Sequence, residues 1–255
     1  MAPLRALVRR PGSRLADGLI THIERVPVDV QLAAEQWQQY VDALVGAGWT
    51  CVEVPPIDEC PDGVFVEDTM VVYRDLAVIA RAGADERRPE AADAEYAVAA
   101  RGYRIARITE PGTLDGGDIL KVGTTVYAGL GGRTNHEGIN QLRQFLEPLG
   151  ADVIAVPVSK VLHLKSAVTA LPDGTVIGYE PLVDDTTAFK SFRPVPEEAG
   201  SHVVLLGDDR LLMAASAPQS AELFRELGYT PVVVDISEFE KLEGCVTCLS
   251  VRLRQ

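Results

Sequence analysis

A chain of 255 residues with 47% hydrophobic and 24% charged residues and a mean hydropathy of +0.07 reads as an ordinary soluble globular protein, long enough to bury a sizeable core. Its net charge of −13 argues against nucleic acid as a partner and favours small cationic ones. No run approaches the ~18 apolar residues of a membrane span, and the first ten residues mix Leu4, Leu7 and Val8 with three arginines rather than forming a signal region, so a cytoplasmic protein with no membrane partner is expected.

Residues 4–9 read as a short strand ended by Pro11-Gly12, and 13–27, with Gly18 and His22 but no period, as a loop long enough to be a lid. Asp29 is placed to cap a helix through Ala47, with Leu32, Trp37, Tyr40, Val41, Leu44 and Val45 on its apolar side, and a strand follows over 49–54. Beyond Pro55-Pro56 the order becomes regular. Strands over 64–73 and 76–81 precede an Ala-rich helix over 90–101 and a strand over 103–108. Strands over 118–122 and 125–128 precede a helix over 134–149, opened by the Thr134-x-x-Glu137 capping box, and a strand over 153–156. A third pass has strands over 164–171 and 175–178 and a weaker helical region over 183–192. A fourth has strands over 203–206 and 211–214, a helix behind Ser216 and Pro218, and a strand over 231–234. The last segment, 246–253, alternates like a strand.

Hairpin, helix, strand is thus repeated at intervals of roughly 40 to 50 residues. A fifth unit is split between the two ends of the chain, so the expected architecture is one α/β domain over 1–255, a ring that closes by sharing a unit between its termini and leaves no sheet edge exposed. An open α/β sheet is the alternative.

Four patches could carry chemistry, together with a thiol. Cys248 lies in Gly244-Cys245-Val246-Thr247-Cys248-Leu249-Ser250-Val251. Cys245-x-x-Cys248 is not followed by the helix that a thioredoxin-type pair requires, and Cys51 and Cys60 are too widely spaced to complete a zinc knuckle. Two plain buried thiols, or a nucleophile served by a distant His and carboxylate, are the readings left. His163 sits in Leu162-His163-Leu164-Lys165-Ser166, and Asp115 and Asp118 flank a Gly-Gly pair that permits close backbone approach. Glu67 and Asp68 stand in an apolar stretch, near Asp62, where buried carboxylates need a cation or a full set of donors. Arg87 and Arg133, each ahead of a helix, could clamp an anion. A ligand with a guanidinium at one end and a carboxylate at the other would satisfy all of these, which describes an arginine derivative.

On Phe65-Val66-Glu67-Asp68, Leu114-Asp115-Gly116-Gly117-Asp118, Leu130 to Asn135, Leu162-His163-Leu164-Lys165-Ser166 and Thr247-Cys248, the chain resembles the dimethylarginine dimethylaminohydrolase family. That family belongs to the guanidino-group-modifying superfamily, with arginine deiminases and amidinotransferases. The resemblance implies a five-bladed α/β propeller and hydrolysis of N-methylated arginine to citrulline and a methylamine through a covalent adduct on Cys248. It implies His163 as general acid and base, oriented by Asp115, with Glu67, Asp68 and Asp62 at the cationic end and Arg87 and Arg133 at the carboxylate. Leu19 falls at a lid position and Leu242 where a backbone carbonyl meets the amino group. Glu243 stands where a shorter Asp can occur and Leu249 where some relatives carry a second Cys. No metal or organic cofactor is implied. An arginine deiminase releasing ammonia and a non-catalytic arginine-binding protein are the rival readings, and a homodimer stays open.

Overall fold

The computed structural model describes residues 4–253; residues 1–3 and 254–255 of the expected 1–255 domain lie outside the described residues. Five three-stranded sheets repeat one pattern, in which a first strand pairs antiparallel with a second, and the second pairs parallel with a third. One unit is built from β1 (Arg5–Arg9), α1 (Val30–Gly46) and β2 (Thr50–Val54). The next has β3 (Met70–Tyr73), β4 (Leu76–Ile79), α2 (Ala91–Ala99) and β5 (Arg104–Arg107). It is followed by β6 (Ile119–Val122), β7 (Thr125–Leu130), α3 (His136–Leu146) and β8 (Asp152–Pro157). The fourth holds β9 (Val168–Ala170), β10 (Val176–Gly178) and β11 (Phe192–Pro194). The fifth holds β12 (Val204–Gly207), β13 (Arg210–Ala214), α4 (Pro218–Glu226) and β14 (Thr230–Val234), and the short α5 (Ser237–Glu240) follows.

The last strand, β15 (Val251–Leu253), supplies the first position of the opening unit: Leu253 faces Arg5 and Val251 faces Leu7 across an antiparallel pairing, while β1 runs parallel to β2 from Arg5↔Thr50 to Arg9↔Val54. The arrangement is a five-bladed α/β propeller, and five separate sheets exclude the open-sheet alternative.

Cores form between neighbouring units, which explains why the strands are apolar on both sides. Leu7 packs toward the second unit with Val72, Ala77 and Ile79, whereas Ala6 and Val8 pack toward the fifth with Leu206 and Leu212. Val71 and Tyr73 share a core with Ile119 and Val126 of the third unit, whose Leu120 and Tyr127 turn to Val168 and Val176 of the fourth. Ile177 meets Leu211 and Met213 to complete the circuit. A large aliphatic or aromatic side chain buried in this way contributes about 1.5–3 kcal/mol. Among the described residues no helix is long and apolar enough to cross a membrane.

Several local expectations are corrected. Asp29 does cap α1, accepting from Gln31 and Leu32, but Leu32 and Val45 are exposed and the buried side comprises Ala33, Gln36, Trp37, Tyr40 and Leu44. The cap of α3 is Asn135, whose side chain accepts from the Gly138 N–H, because the Thr134 hydroxyl is taken by Asp118. No side chain caps α4, since the Ser216 hydroxyl donates to Glu240 instead. The fourth unit crosses over through two 3-10 turns, Glu180–Leu182 and Thr186–Ala188, rather than a helix. Glu67 and Asp68 sit in a 3-10 turn, Val66–Thr69, not in mid-strand, and Cys248 precedes the last strand rather than lying in it.

Candidate active site

Those last two corrections share a cause that also builds the site. A turn precedes the first strand of every unit: Val66–Thr69 before β3, Gly116–Asp118 before β6, Leu164–Ser166 before β9, Glu198–Ser201 before β12, and residues 246–249 before β15. First strands of adjacent units touch, β15 against β3 and β6 against β9, and so do the turns that lead into them. Residues at matching places in the repeat are thereby collected at one end of the ring.

His163 is the centre of this group. Its Nε2 lies 3.0 Å from Asp115 Oδ2 and its Nδ1 3.8 Å from Asp68 Oδ1, and all three side chains are buried. Burial by itself would lower the imidazole, but the charge of Asp68, the hydrogen bond to Asp115 and the charge of Asp118 outweigh it and raise His163 to about 9. Asp115 also accepts from the Gly83 N–H at 2.9 Å and from Arg133 at 3.4 Å. Burial raises Asp68 too, yet His163 and Arg87 reverse this and hold it well below the usual carboxylate range. Burial lifts the neighbouring Asp118 to about 6, although it accepts from Thr134 Oγ1 and from the Leu164 N–H, the latter bond tying the second and third of these turns together.

The Gly-Gly pair makes this approach possible. A Cβ on Gly117 would fall 2.6 Å from Asp68 Oδ1 and 2.7 Å from His163 Nδ1, and one on Gly116 would meet the Glu67 carbonyl oxygen at 2.1 Å. Gly117→Ala is therefore expected to displace the imidazole and cut turnover about 10²-fold, the scale of an ångström's misplacement of a reacting group. Steady-state kinetics with a circular-dichroism melt checks it: an active variant would mean that His163 need not stand where it does.

Glu67 joins the thiol segment to the imidazole. Its N–H donates to the Cys248 carbonyl at 3.1 Å, and its carboxylate Oε1 receives both Lys165 and Arg252 at 2.6 Å. Its Oε2 is buried with no hydrogen-bond partner, an uncompensated acceptor that a cationic N–H donor would satisfy. Cys248 is fixed by further bonds: its N–H donates to the Cys245 carbonyl, Arg252 donates to the Thr247 and Ser250 carbonyls, and the Ser250 hydroxyl pairs with Tyr40 of α1. The bond to Cys245, burial, and the charges of Glu67 and Asp68 hold the Cys248 thiol high. Lys165 and Arg252 were not singled out from sequence; a lysine inside Leu162-His163-Leu164-Lys165-Ser166 was the available signal.

Beside these turns lies a cavity of about 530 Å³, whose lining includes His22, Leu162, Ser166, His202, Glu243 and Gly244. The 13–27 segment closes over it and is held by acceptors. Asp62 takes the Leu19 N–H on both oxygens, at 3.0 and 3.2 Å, and the Glu243 carboxylate takes the N–H groups of Thr21 and His22 at 2.6 and 2.9 Å. Glu243 holds φ at 59°, the left-handed region, to aim that carboxylate. Gly18 lies against Asp62 and Leu242, where a Cβ would fall 2.8 Å from Asp62 Oδ1 and 3.4 Å from Leu242 Cδ2.

The arginines are placed differently from the expectation of two free anion clamps. Arg87 is 5% exposed and committed to Asp68 at 2.7 Å and Glu90 at 2.8 Å, because two buried carboxylates there need a counter-charge. Arg133 leans on Asp115 and stays half-buried. All four cysteines are free, and among the described residues the group with donor atoms close enough to hold a cation is Asp68, Asp115 and His163, within 4.8 Å of one another.

Comparison with known proteins agrees with this fold. The family model described as arginine deiminase matches residues 50–218. A dimethylarginine dimethylaminohydrolase of Streptomyces coelicolor is 65% identical over 255 residues, 100% of this chain and 99% of that one. The structure of the Pseudomonas aeruginosa enzyme, a cysteine-to-serine variant complexed with citrulline, superposes with a TM-score of 0.91 at 34% identity, covering 98% of each chain. A histidine-to-glycine dimethylarginine dimethylaminohydrolase carrying an adduct with S-methyl-L-thiocitrulline gives the same TM-score at 33% identity, over 98% of this chain and 99% of that one. With that fold, that identity and the motifs in their places, the chain belongs to the dimethylarginine dimethylaminohydrolase family of the arginine deiminase-like superfamily.

Proposed function

We propose that this protein hydrolyses N-methylated arginine, asymmetric dimethylarginine or monomethylarginine, to citrulline and the corresponding methylamine, with Cys248 as nucleophile, His163 as acid and base, and Asp115 orienting the imidazole. The observation that carries the reading is a buried imidazole held between Asp115 and Asp68, with the next residue along, Glu67, bonded to the Cys248 turn.

The chemistry follows from the charges. A guanidinium beside Asp68 and the unpartnered oxygen of Glu67 would supply the missing cation, and its field would draw the Cys248 thiol down so that the thiol loses its proton to solvent and the thiolate forms as substrate binds. The sulfur adds to the guanidinium carbon. Imidazolium, kept protonated at neutral pH by its two carboxylates, gives its proton to the departing amine and so avoids expulsion of an amide anion. The neutral imidazole then takes a proton from the water that attacks the thiouronium carbon, and the C–S bond breaks to release citrulline. Leu19 and Leu242 are assigned to the amino end and Arg133 to the carboxylate; Asp62, expected at the cationic end, is spent on the Leu19 N–H, and Arg87, committed to Asp68 and Glu90, holds Asp68 in line. A thiol nucleophile persists in a reducing compartment, so the cytoplasm is the proposed setting.

Supplying asymmetric dimethylarginine, monomethylarginine and arginine separately, and identifying the released amine, tests the reading. Citrulline with dimethylamine or methylamine is expected. Ammonia from unmethylated arginine alone would make the protein an arginine deiminase, and binding without any product would make it a binding protein.

A further inference from the structure

The hydrolysis uses one sulfur, yet the structure supplies two. Cys245 Sγ lies 3.3 Å from Cys248 Sγ, 3.2 Å from the Thr247 hydroxyl and 4.0 Å from the Lys165 carbonyl, and the two cysteines are 3% and 6% exposed. They close a turn in which the Cys248 N–H donates to the Cys245 carbonyl at 3.0 Å. A four-residue turn brings its end Cα atoms within about 7 Å, the range a disulfide spans, and the sulfurs need to approach by little more than about 1 Å to reach bonding distance. Among the described residues the pair is followed by a strand and no helix, which separates it from a disulfide oxidoreductase motif.

We propose that the Cys245–Cys248 pair is a site of reversible oxidation at which hydrogen peroxide converts the proposed nucleophile into an intramolecular disulfide with Cys245. A thiolate of the pair attacks peroxide; an S–O bond forms, the O–O bond breaks, hydroxide leaves, and the sulfur has lost two electrons to the peroxide. The second sulfur then attacks the sulfenic sulfur; the S–S bond forms, the S–O bond breaks, and hydroxide departs with the second thiol's proton as water. A small thiol reverses the change by exchange. The hydrogen bond between the sulfurs supports the chemistry, since it holds Cys245 down to about 5 and keeps one thiolate available at neutral pH. The benefit is chemical: a sulfenic acid left alone proceeds under excess peroxide to sulfinic acid, which a thiol cannot reduce, whereas the disulfide stops the ladder one step in.

The inference goes beyond the proposed hydrolysis and rests on it only for the activity readout. Wild-type protein is treated with graded hydrogen peroxide, digested with trypsin and weighed, before and after dithiothreitol. Cleavage after Lys241 and Arg252 releases residues 242–252, which carry both cysteines. Loss of two hydrogens from this peptide, in step with complete loss of turnover and with recovery of both on reduction, is expected. In Cys245→Ser the peptide gains oxygen instead, and excess peroxide inactivates without recovery. If that variant does not fold, Cys245→Ala serves, and the wild-type mass alone still decides. A wild-type peptide that gains oxygen or is unchanged overturns the proposal, as does a Cys245→Ser enzyme that recovers as fully as wild type. Because the mass shift is independent of turnover, its failure is distinguishable from failure of the hydrolysis.

Discussion

Cys248→Ser is expected to lower turnover of methylated arginine by about four orders of magnitude or more while leaving substrate affinity within a few-fold of wild type, since a hydroxyl fills the same space but is a far poorer nucleophile. The bonds that fix the turn, from Glu67 to the Cys248 carbonyl and from Arg252 to the Thr247 and Ser250 carbonyls, are made by backbone and by other side chains and survive the change. Titration calorimetry with substrate separates binding from chemistry, and iodoacetamide labelling of the wild type, blocked by substrate, reports the same sulfur directly. A serine variant that still formed citrulline at the wild-type rate would remove Cys248 from the chemistry.

Asp115→Asn is expected to cost about four orders of magnitude in kcat, as for other imidazoles deprived of their orienting carboxylate, and to move the alkaline limb of the pH profile downward. The sign follows from the balance at His163. In the wild type the imidazole is raised from its ordinary 6.5 to about 9, so the proton needed by the leaving amine is lost only as pH rises through 9. Taking away Asp115 leaves burial opposed by fewer negative groups, and the limb falls toward neutrality. The same shift makes a stability statement. A histidine whose folded value exceeds its unfolded one contributes fully below pH 6.5, and that contribution, a few kcal/mol, is lost as pH rises through 9. Urea unfolding between pH 6 and 10 should show the loss in wild type and a smaller one in the variant. An alkaline limb that stays near 9 in Asp115→Asn would show that Asp115 does not set the protonation of His163.

The two Gly-flanked and Leu-flanked motifs were legible in the sequence because their chemistry is local: Gly116-Gly117 can approach other groups closely, and a His among leucines will be buried. The repeat was legible as well, since strand pairs separated by turn residues recur at a steady interval. The turns at the end of the ring were not. Val66 to Met70 and Val246 to Val251 set a few polar residues among apolar ones and read as strands, but here both kinds are buried, the apolar ones among the cores and Glu67, Asp68, Thr69, Thr247 and Ser250 away from solvent as well. Period alone cannot tell those cases apart. Partners far apart in the chain were equally hidden. Nothing near Glu67 in the sequence names Lys165 or Arg252, and nothing near Arg87 predicts that Asp68 would absorb its charge. The missing helix of the fourth unit had a local reason visible only afterwards, in that Pro181 and the Asp185 turn break the region into 3-10 segments.

The strand that seals the ring and the turn that presents the thiol are parts of one short stretch, 246–253, seated between β1 and the Glu67 turn. Assembly and arming are therefore the same event. On the proposed chemistry, a chain in which 246–253 has not yet docked has its imidazole and acids but neither a closed circle nor a sulfur in position, so reactivity toward guanidinium compounds would wait on that stretch seating beside β1.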